Sequence, residues 1–590
     1  MRIGCVAVVV GIVGLGSVVY GELQGVARIQ EDLKAGRISY ETSLLYRAYA
    51  FFEPSKLPPE YRDEARFVKC GTSLASEVRA YWPALSASAK AVLSSFYSRP
   101  DYLPESHLSP SGRFRIHYTR SGPDGVPPED SDGNDVPDYV EAAAAAFDSA
   151  YVLEVEQLGY REPVRDGTDG GDEAWDVYIR DLWGGRSYGY TTPERRAGSG
   201  YGYTSFVEVD NDFEDGFPTK GLDGLRITAA HEFFHVIHFS YYGLGGLDWW
   251  MEISSTWMED VAYTEVNDYY SYLSYFFDFP GQPLNTQNNR HEYGASIFAH
   301  YLAERFGPDV IRQIWEQIRA SGQADMRPFD RAIPIGIGSA MKEFAVWNYF
   351  TGSRAQPDRY YPEGAEYPEI EIEEKHTTYP ASGEGRLGHL AAHYIQFLET
   401  QDRPGGLALT FDPKERTLWG TLVGLSPSNE DTMWTVADGR GTIVGWDAFG
   451  EIALIAVATS PTGYGFRYTY KGTYDPGLTD EEIPERISLG QSYPNPFVVG
   501  GRETDEVCIP FDLAAPGKVT FSIYTLQGAL VRCIELGVLA PRHYGNLARW
   551  DGKNEWGRSV SSGIYLVRLE VQNGSESFDA VRKMAVIREE

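Results

Sequence analysis

Cysteine is scarce in this chain: there are four in 590 residues, and one of them, Cys5, sits inside the opening apolar stretch. A disulfide-stapled scaffold is thereby excluded. Of the others, Cys70 reads as a buried free thiol, and Cys508 and Cys533 are a pair that only geometry decides. Positive charge is short as well. Lys and Arg total 52 against 84 Asp and Glu, and a net charge of −32 has the wrong sign for gripping a phosphate backbone. Nucleic acid is excluded as a partner, and the surplus carboxylates suit hard cations such as calcium. Long hydrophobic runs are missing beyond the start, so no transmembrane segment is expected in the mature chain. The one run, Val6 to Val19 behind Arg2, reads as a signal peptide over residues 1–21, which implies a secreted or cell-surface protein.

Aromatic residues, in contrast, are plentiful. With 13 Trp, 40 Tyr and 28 Phe the chain is too apolar for disorder, and its length implies several folded domains. The expected class is multidomain α+β. Residues 22–110 read as a helical N-terminal region, a candidate propeptide, with helical text such as Leu74–Tyr97 and no constellation of titratable groups. Residues 111–375 begin as an α/β layer: strands at Phe114–Tyr118, Trp175–Leu182 and Tyr203–Asp210, and an Ala-rich helix over Tyr139–Tyr160. Helices follow at Leu225–Phe239, Trp249–Val261 and Tyr293–Phe306. Residues 380–475 carry short β-prone runs of a β-sandwich, a Pro/Glu-rich linker spans Asp475–Pro484, and a last β-domain occupies residues 486–590.

The chemistry concentrates between Ala230 and Val236, which reads Ala-His-Glu-Phe-Phe-His-Val. On a helix His231 and His235 stand one turn apart, about 40° from each other around the axis. Two imidazoles so placed grip one zinc ion, with Glu232 beside the open coordination position as general base. Composition alone predicts about 0.02 such matches in the chain. His238 lies on the same side but two turns from His231, and reads as packing or support. A catalytic zinc needs a third protein ligand. A third His six residues after the second is excluded, because that position holds Tyr241. The next helix offers Glu252 as the ligand, with Gly243, Gly245 and Gly246 turning the chain back toward the first helix. Glu259, two turns further on, is the alternative ligand or an orienting group.

This arrangement resembles the glutamate-zincin clan of thermolysin-like and aminopeptidase-like enzymes. The segments Phe114–Thr119, Asp130–Glu141, Asp176–Ile179, Val209–Phe213, Ala230–His235 and Trp249–Asp260 are more closely similar to a group of secreted bacterial metalloproteases. The resemblance implies a zincin-like catalytic domain in which His231, His235 and Glu252 hold zinc. The reaction it implies is metal-assisted hydrolysis of peptide bonds, with the metal acidifying water and polarising the carbonyl while Glu232 carries the proton. Two departures stand out: Thr256 replaces the Asp that orients a zinc-bound His in thermolysin, and the Gly-x-Met-Glu-Asn strand of aminopeptidases is absent. An endopeptidase is therefore expected, acting on protein or peptide substrates. The stretch His291-Glu-Tyr-Gly is similar to the aminopeptidase segment with a catalytic Tyr, which makes His291 or Tyr293 the candidate oxyanion donor. Strand Tyr203–Asp210 is a candidate to lie along the cleft and pair with substrate backbone, and Tyr269–Phe279 to line a pocket.

A second metal pattern occupies Asp130, Asp132, Asn134, Val136, Asp138 and Glu141, positions 1, 3, 5, 7, 9 and 12 of a calcium loop, with Asp135 where the pattern has Gly. The expectation is a structural calcium at a strand-to-helix turn. In the last domain, Leu489–Phe497, Trp550-Asp-Gly, Gly563-Ile-Tyr and Arg582-Lys-Met resemble C-terminal sorting domains of type IX secretion and the immunoglobulin-like domain of flagellar hook-capping proteins. That resemblance implies an Ig-like sandwich recognised by outer-membrane secretion machinery. The competing reading for the whole chain is a cell-surface adhesin or binding protein whose metal site is vestigial or structural.

Overall fold

Strands buried along nearly their whole length, such as Trp175–Ile179 and Tyr203–Val209, need cover on both faces, and the first half of the chain supplies it with helices before and after a mixed sheet. In the computed structural model the described residues are 24–588 other than 63–67, 183–186, 199, 215, 244, 399–404, 426–430, 437–439, 445, 447–448, 450, 476–483, 485, 500–505, 540 and 574–575. The expected signal peptide and nearly all of the linker after Asp475 lie outside them. The architecture is mixed α+β with β-sandwich regions. It divides into two compact units, one holding the residues through Asp268 together with Gln287–Asn289, the other holding Tyr269–Thr286 and the chain from Arg290 onward.

The first unit opens with helices α1 (Gln24–Lys34), α2 (Tyr40–Phe52), α3 (Thr72–Tyr81) and α4 (Ala87–Phe96). The helical text Leu74–Tyr97 is thus two helices. Pro83, in a tight turn at Trp82–Ala84, ends the first, and Ser86 starts the second by accepting the Ala89 amide at 3.2 Å. The sheet contains β1 (Glu105–Leu108), β2 (Phe114–Tyr118), β3 (Trp175–Ile179), β4 (Gly189–Arg196) and β5 (Tyr203–Val209) in the order β1-β2-β3-β5-β4. β2, β3 and β5 run parallel, whereas β1 and β4 are antiparallel edges. This corrects the expectation for Tyr203–Asp210: β5 is bonded to β3 on one side and β4 on the other, so it has no free edge for a substrate. The edge is β4, whose Pro193 is a residue tolerated at sheet edges.

Helix α5 (Asp138–Tyr151) continues into a wide turn at Val152–Gln157 instead of running on to Tyr160. Helices α6 (Gly221–Tyr241) and α7 (Asp248–Ala262) follow, joined by a turn in which Gly245 and Gly246 take φ of 77° and 87°, open to glycine at little cost. Phe114, Phe147, Tyr151, Trp175 and Phe233 interlock rings between sheet, α5 and α6. Elsewhere Leu182 and Tyr190 pack with Leu44, Phe52, Val78 and Leu93 of the N-terminal helices.

The second unit begins with helices α8 (Tyr270–Phe277), α9 (His291–Gly294), α10 (Ile297–Phe306), α11 (Asp309–Ser321), α12 (Arg327–Ala332) and α13 (Ile337–Tyr349). The expected helix Tyr293–Phe306 is therefore interrupted after Gly294. Strands from Glu374 to Asp475 form a five-stranded and a four-stranded sheet around Phe397, Leu422, Trp446 and Leu454. Strands from Ser488 to Arg588 form a three-stranded and a five-stranded sheet around Phe511, Phe521, Trp550 and Leu569. Cys508 lies in the smaller sheet and Cys533 in the larger, and both are free thiols.

Candidate metal centre

Helix α6 is apolar nearly all round and buried from Leu225 to Tyr241 except at Arg226, so each of its polar side chains needs a partner inside the protein. The helical repeat puts His231 and His235 on one face, and their Nε2 atoms stand 3.1 Å apart. The glycine turn brings α7 back alongside, where Glu252 sends Oε2 to 3.3 Å from His231 Nε2 and 3.6 Å from His235 Nε2. All three side chains are buried. The spacing of the sequence placed these residues on facing helices, and their donor atoms meet at one point.

A fourth donor comes from outside the two helices. Cys70 Sγ lies 3.5 Å from His235 Nε2, and the ligand atoms of Cys70, His231, His235 and Glu252 are all within 4.8 Å of one another. Nothing in the sequence around Cys70 predicts this place for it, since residues 22–110 read as free of any constellation of titratable groups. Lys69 and Cys70 overturn that. No spacing rule links position 70 to α6; the contact arises because Cys70 and Gly189 form a parallel bridge beside β4.

The donor set fits a zinc ion. Tetrahedral bonds of about 2.0–2.3 Å put neighbouring ligand atoms roughly 3.3–3.6 Å apart; the contacts at 3.3, 3.5 and 3.6 Å lie in that range, and the one between the two imidazoles is shorter at 3.1 Å. Among the described residues Glu252 Oε2 is a buried carboxylate oxygen with no hydrogen-bond partner, a group that a cation satisfies.

Around this set, supporting contacts fix each side chain. His231 Nδ1 donates to Glu259 Oε1 at 2.6 Å, so Glu259 takes the orienting role and leaves Nε2 for a metal. Lys69 Nζ donates in turn to Glu259 Oε2 at 3.0 Å and to Asp268 at 2.5 Å. His235 Nδ1 lies 3.4 Å from both Ser255 Oγ and His238 Nδ1, and His238 Nε2 lies 3.2 Å from Ser254 Oγ, which makes His238 a support. Glu232 projects to one side. Its Oε2 accepts from Thr191 at 2.8 Å and Thr72 at 3.2 Å, and its Oε1 accepts from Cys70 Sγ at 3.2 Å. Thr256 is buried and lies outside these bonds.

The electrostatics follow from burial and charge. Burial pulls the His231 imidazole down, but Glu252 and Glu259 outweigh it and raise its pKa to about 9. Burial pushes Glu252 up, and the two imidazoles more than reverse this, holding it well below the usual carboxylate range. The Cys70 thiol is pushed well up by burial and then by Glu232 and Glu252.

His291 and Tyr293 belong to the second unit, where both are buried in its core. His291 is packed against Phe276 and its pKa is lowered to about 4 by burial; Tyr293 packs on Tyr272. In the loop from Asp130 to Glu141, the Asp130 carboxylate accepts the amides of Gly133, Asn134 and Asp135 at 2.8, 3.2 and 3.0 Å. Asp138 accepts the amide and hydroxyl of Ser131, and Asn134 Nδ2 bridges Asp132 and Glu141. Val136 donates its amide to Asn134 Oδ1. Asp135 adopts φ of 67°, the left-handed conformation that the calcium pattern assigns to Gly. These bonds describe a polar turn before α5. Among the described residues, the only group of three or more His, Cys, Asp or Glu ligand atoms drawn together is the one at Cys70, His231, His235 and Glu252.

No protein-family profile matches the chain, and no curated protein does. Solved structures similar to parts of it include FLGD from P. aeruginosa, at 18% identity over 17% of this chain and 74% of that one, with a TM-score of 0.14. Dimeric latent PorU from Porphyromonas gingivalis is 13% identical over 32% of this chain and 18% of its own, at 0.15. PorZ, a surface component of the type IX secretion system of the same organism, is 16% identical over 28% of this chain and 22% of its own, also at 0.15. The chain thus spans less than a quarter of either Porphyromonas protein, and likenesses at these scores carry no argument about activity. Among the described residues no helix is long and apolar enough to cross a membrane.

Proposed function

We propose that this protein is a secreted zinc-dependent endopeptidase. The observation that supports it is the meeting of two imidazole nitrogens and one carboxylate oxygen at 3.1–3.6 Å, with a second carboxylate, Glu232, set beside them. When bound, zinc supplies polarisation of the scissile carbonyl and acidification of water. Glu232 takes the proton and returns it to the leaving amine, and Thr191 aims its carboxylate from 2.8 Å. Glu259 keeps the proton of His231 on Nδ1. For the oxyanion, the clan resemblance proposes His291 or Tyr293. A structural calcium at Asp130–Glu141 and recognition of residues 486–590 by outer-membrane secretion machinery are proposals of the same kind. Calcium uptake in isothermal titration should vanish in Asp132→Ala with Glu141→Ala, and unchanged uptake would reject that loop as its site.

A second reading has one observation in its favour: with Cys70 the donors number four, and closed four-donor sets are the habit of structural zinc. The two are separated by zinc analysis together with hydrolysis of unfolded casein by the wild type and Cys70→Ala, each with and without Glu232→Gln. The peptidase reading expects stoichiometric zinc and hydrolysis in at least one parent, reduced roughly 100-fold or more by Glu232→Gln. Full zinc with every protein inert would establish the structural site.

A further inference from the structure

We infer that Cys70 is a fourth metal ligand and that the segment Lys69–Ser73 holds the site closed, making the full chain a latent form whose activity is released by withdrawing that segment. This rests on the metal-centre reading above. A catalytic zinc keeps one position open for water, and here the sulfur stands in that position. Cys70 Sγ is 3.5 Å from His235 Nε2 on the metal side and 3.2 Å from Glu232 Oε1 on the other. That is the pair of contacts an attacking water would need, one to the metal and one to the general base. The buried Glu252 Oε2, which has no hydrogen-bond partner among the described residues and faces the two imidazoles at 3.3 and 3.6 Å, points to a cation between these donors.

The neighbours of Cys70 reinforce the closure. Thr72 Oγ1 donates to Glu232 at 3.2 Å, and Ser73 Oγ donates to Glu252 Oε1 at 2.8 Å. Lys69 Nζ reaches Glu259, the partner of His231. Backbone groups take the sheet edge: the Tyr188 amide donates to Lys69 O and the Gly71 amide to Gly189 O, both at 3.2 Å. An extended substrate binds by adding to such an edge, so the segment occupies both the catalytic position and the backbone track leading to it. Close approach is built in. A Cβ on Gly71 would stand 2.8 Å from Phe51 Cζ and 3.1 Å from Tyr190 Cβ, and one on Gly189 would stand 2.9 Å from Glu208 O. Ligation requires the thiol to lose its proton, which Glu232 Oε1 is placed to accept before passing it to solvent. No electron is transferred, and withdrawal of the segment reverses the step.

The test is X-ray absorption at the zinc edge of the full-length wild type, Cys70→Ala and Cys70→Ser, with casein hydrolysis measured on the same samples. Wild type should show one sulfur at about 2.3 Å from zinc, absent from both variants. Both variants should hydrolyse casein roughly tenfold faster or more, because the open fraction limits the latent chain. Zinc without sulfur in the wild type overturns the inference and leaves the peptidase reading intact. Sulfur ligation with variants no faster than wild type overturns the latency. Absence of zinc from all three removes both readings. Should the variants fail to melt cooperatively, the wild-type spectrum decides the ligation, and the latency is then decided by wild-type protein carrying a site-specific cleavage sequence at Asp101–Leu103, in the exposed connection between α4 and β1: once the cut protein has been separated from its N-terminal piece by size exclusion, hydrolysis should rise, and an unchanged rate after that separation overturns it.

Discussion

Glu259 touches no proposed metal position, yet it ties His231 to Lys69. In Glu259→Gln the bond to His231 Nδ1 weakens and the Lys69 ammonium loses a charged partner, so zinc affinity is expected to fall about 10–100-fold in a competition titration. Asp248, at the start of α7, gives a pH signature. Burial raises its carboxyl to about 6, with partial relief from Ser76 and the Gly246 amide. A raised acid contributes stability that is complete below its ordinary value of 3.8 and is lost as pH rises through 6. Asp248→Asn should therefore gain on the wild type by about 2–3 kcal/mol between pH 3.5 and 7, read from urea midpoints at each pH. A constant difference would show the group titrating normally. What the sequence revealed at this scale is what periodicity encodes. His231, Glu232, His235 and Glu252 follow from helical spacing and a glycine turn, whereas Cys70 stands 162 positions from Glu232 with nothing local to mark it.

At the level of elements, β2 was legible because Phe114, Ile116 and Tyr118 alternate with polar residues, and the buried helix α6 because a core helix leaves few polar positions. The breaks were less so. The Leu74–Tyr97 text ends its first helix at Pro83, a signal present in the sequence. The edge position of β4 depends on pairing order, and a strand's own residues do not state which neighbour it will have. That order matters for the proposed function, because it moves the candidate substrate-pairing edge from Tyr203–Asp210 to Gly189–Arg196. The helices α6 and α7 also predict what chelation does. With the proposed cation removed, Glu252 Oε2 and the two Nε2 atoms would be left facing one another. Hydrogen exchange should then quicken in α6, α7 and the Lys69–Ser73 segment. The strands from Ser488 to Arg588, which belong to the other unit, should stay unchanged. Equal acceleration in both regions would show the ion to be remote from this cluster.

Across the molecule, the N-terminal helices are more than a cover. Phe52 and Leu93 share a core with Leu182 and Tyr190, and Arg99, just after α4, binds Glu194 at 2.7–2.8 Å together with Asp166 and Asp176. The segment carrying Cys70 is thus anchored at several points within the first unit, and these anchors do not depend on an intact peptide link to β1. Covalent attachment gives such a segment a high local concentration that no dilution lowers. Severing the chain between α4 and β1 removes only that advantage, since the apolar core and the Arg99 cluster would still hold the excised piece as a bound fragment. Release then becomes a dissociation with its own lifetime, and the interval between the cut and full exposure of the centre would act as a built-in delay.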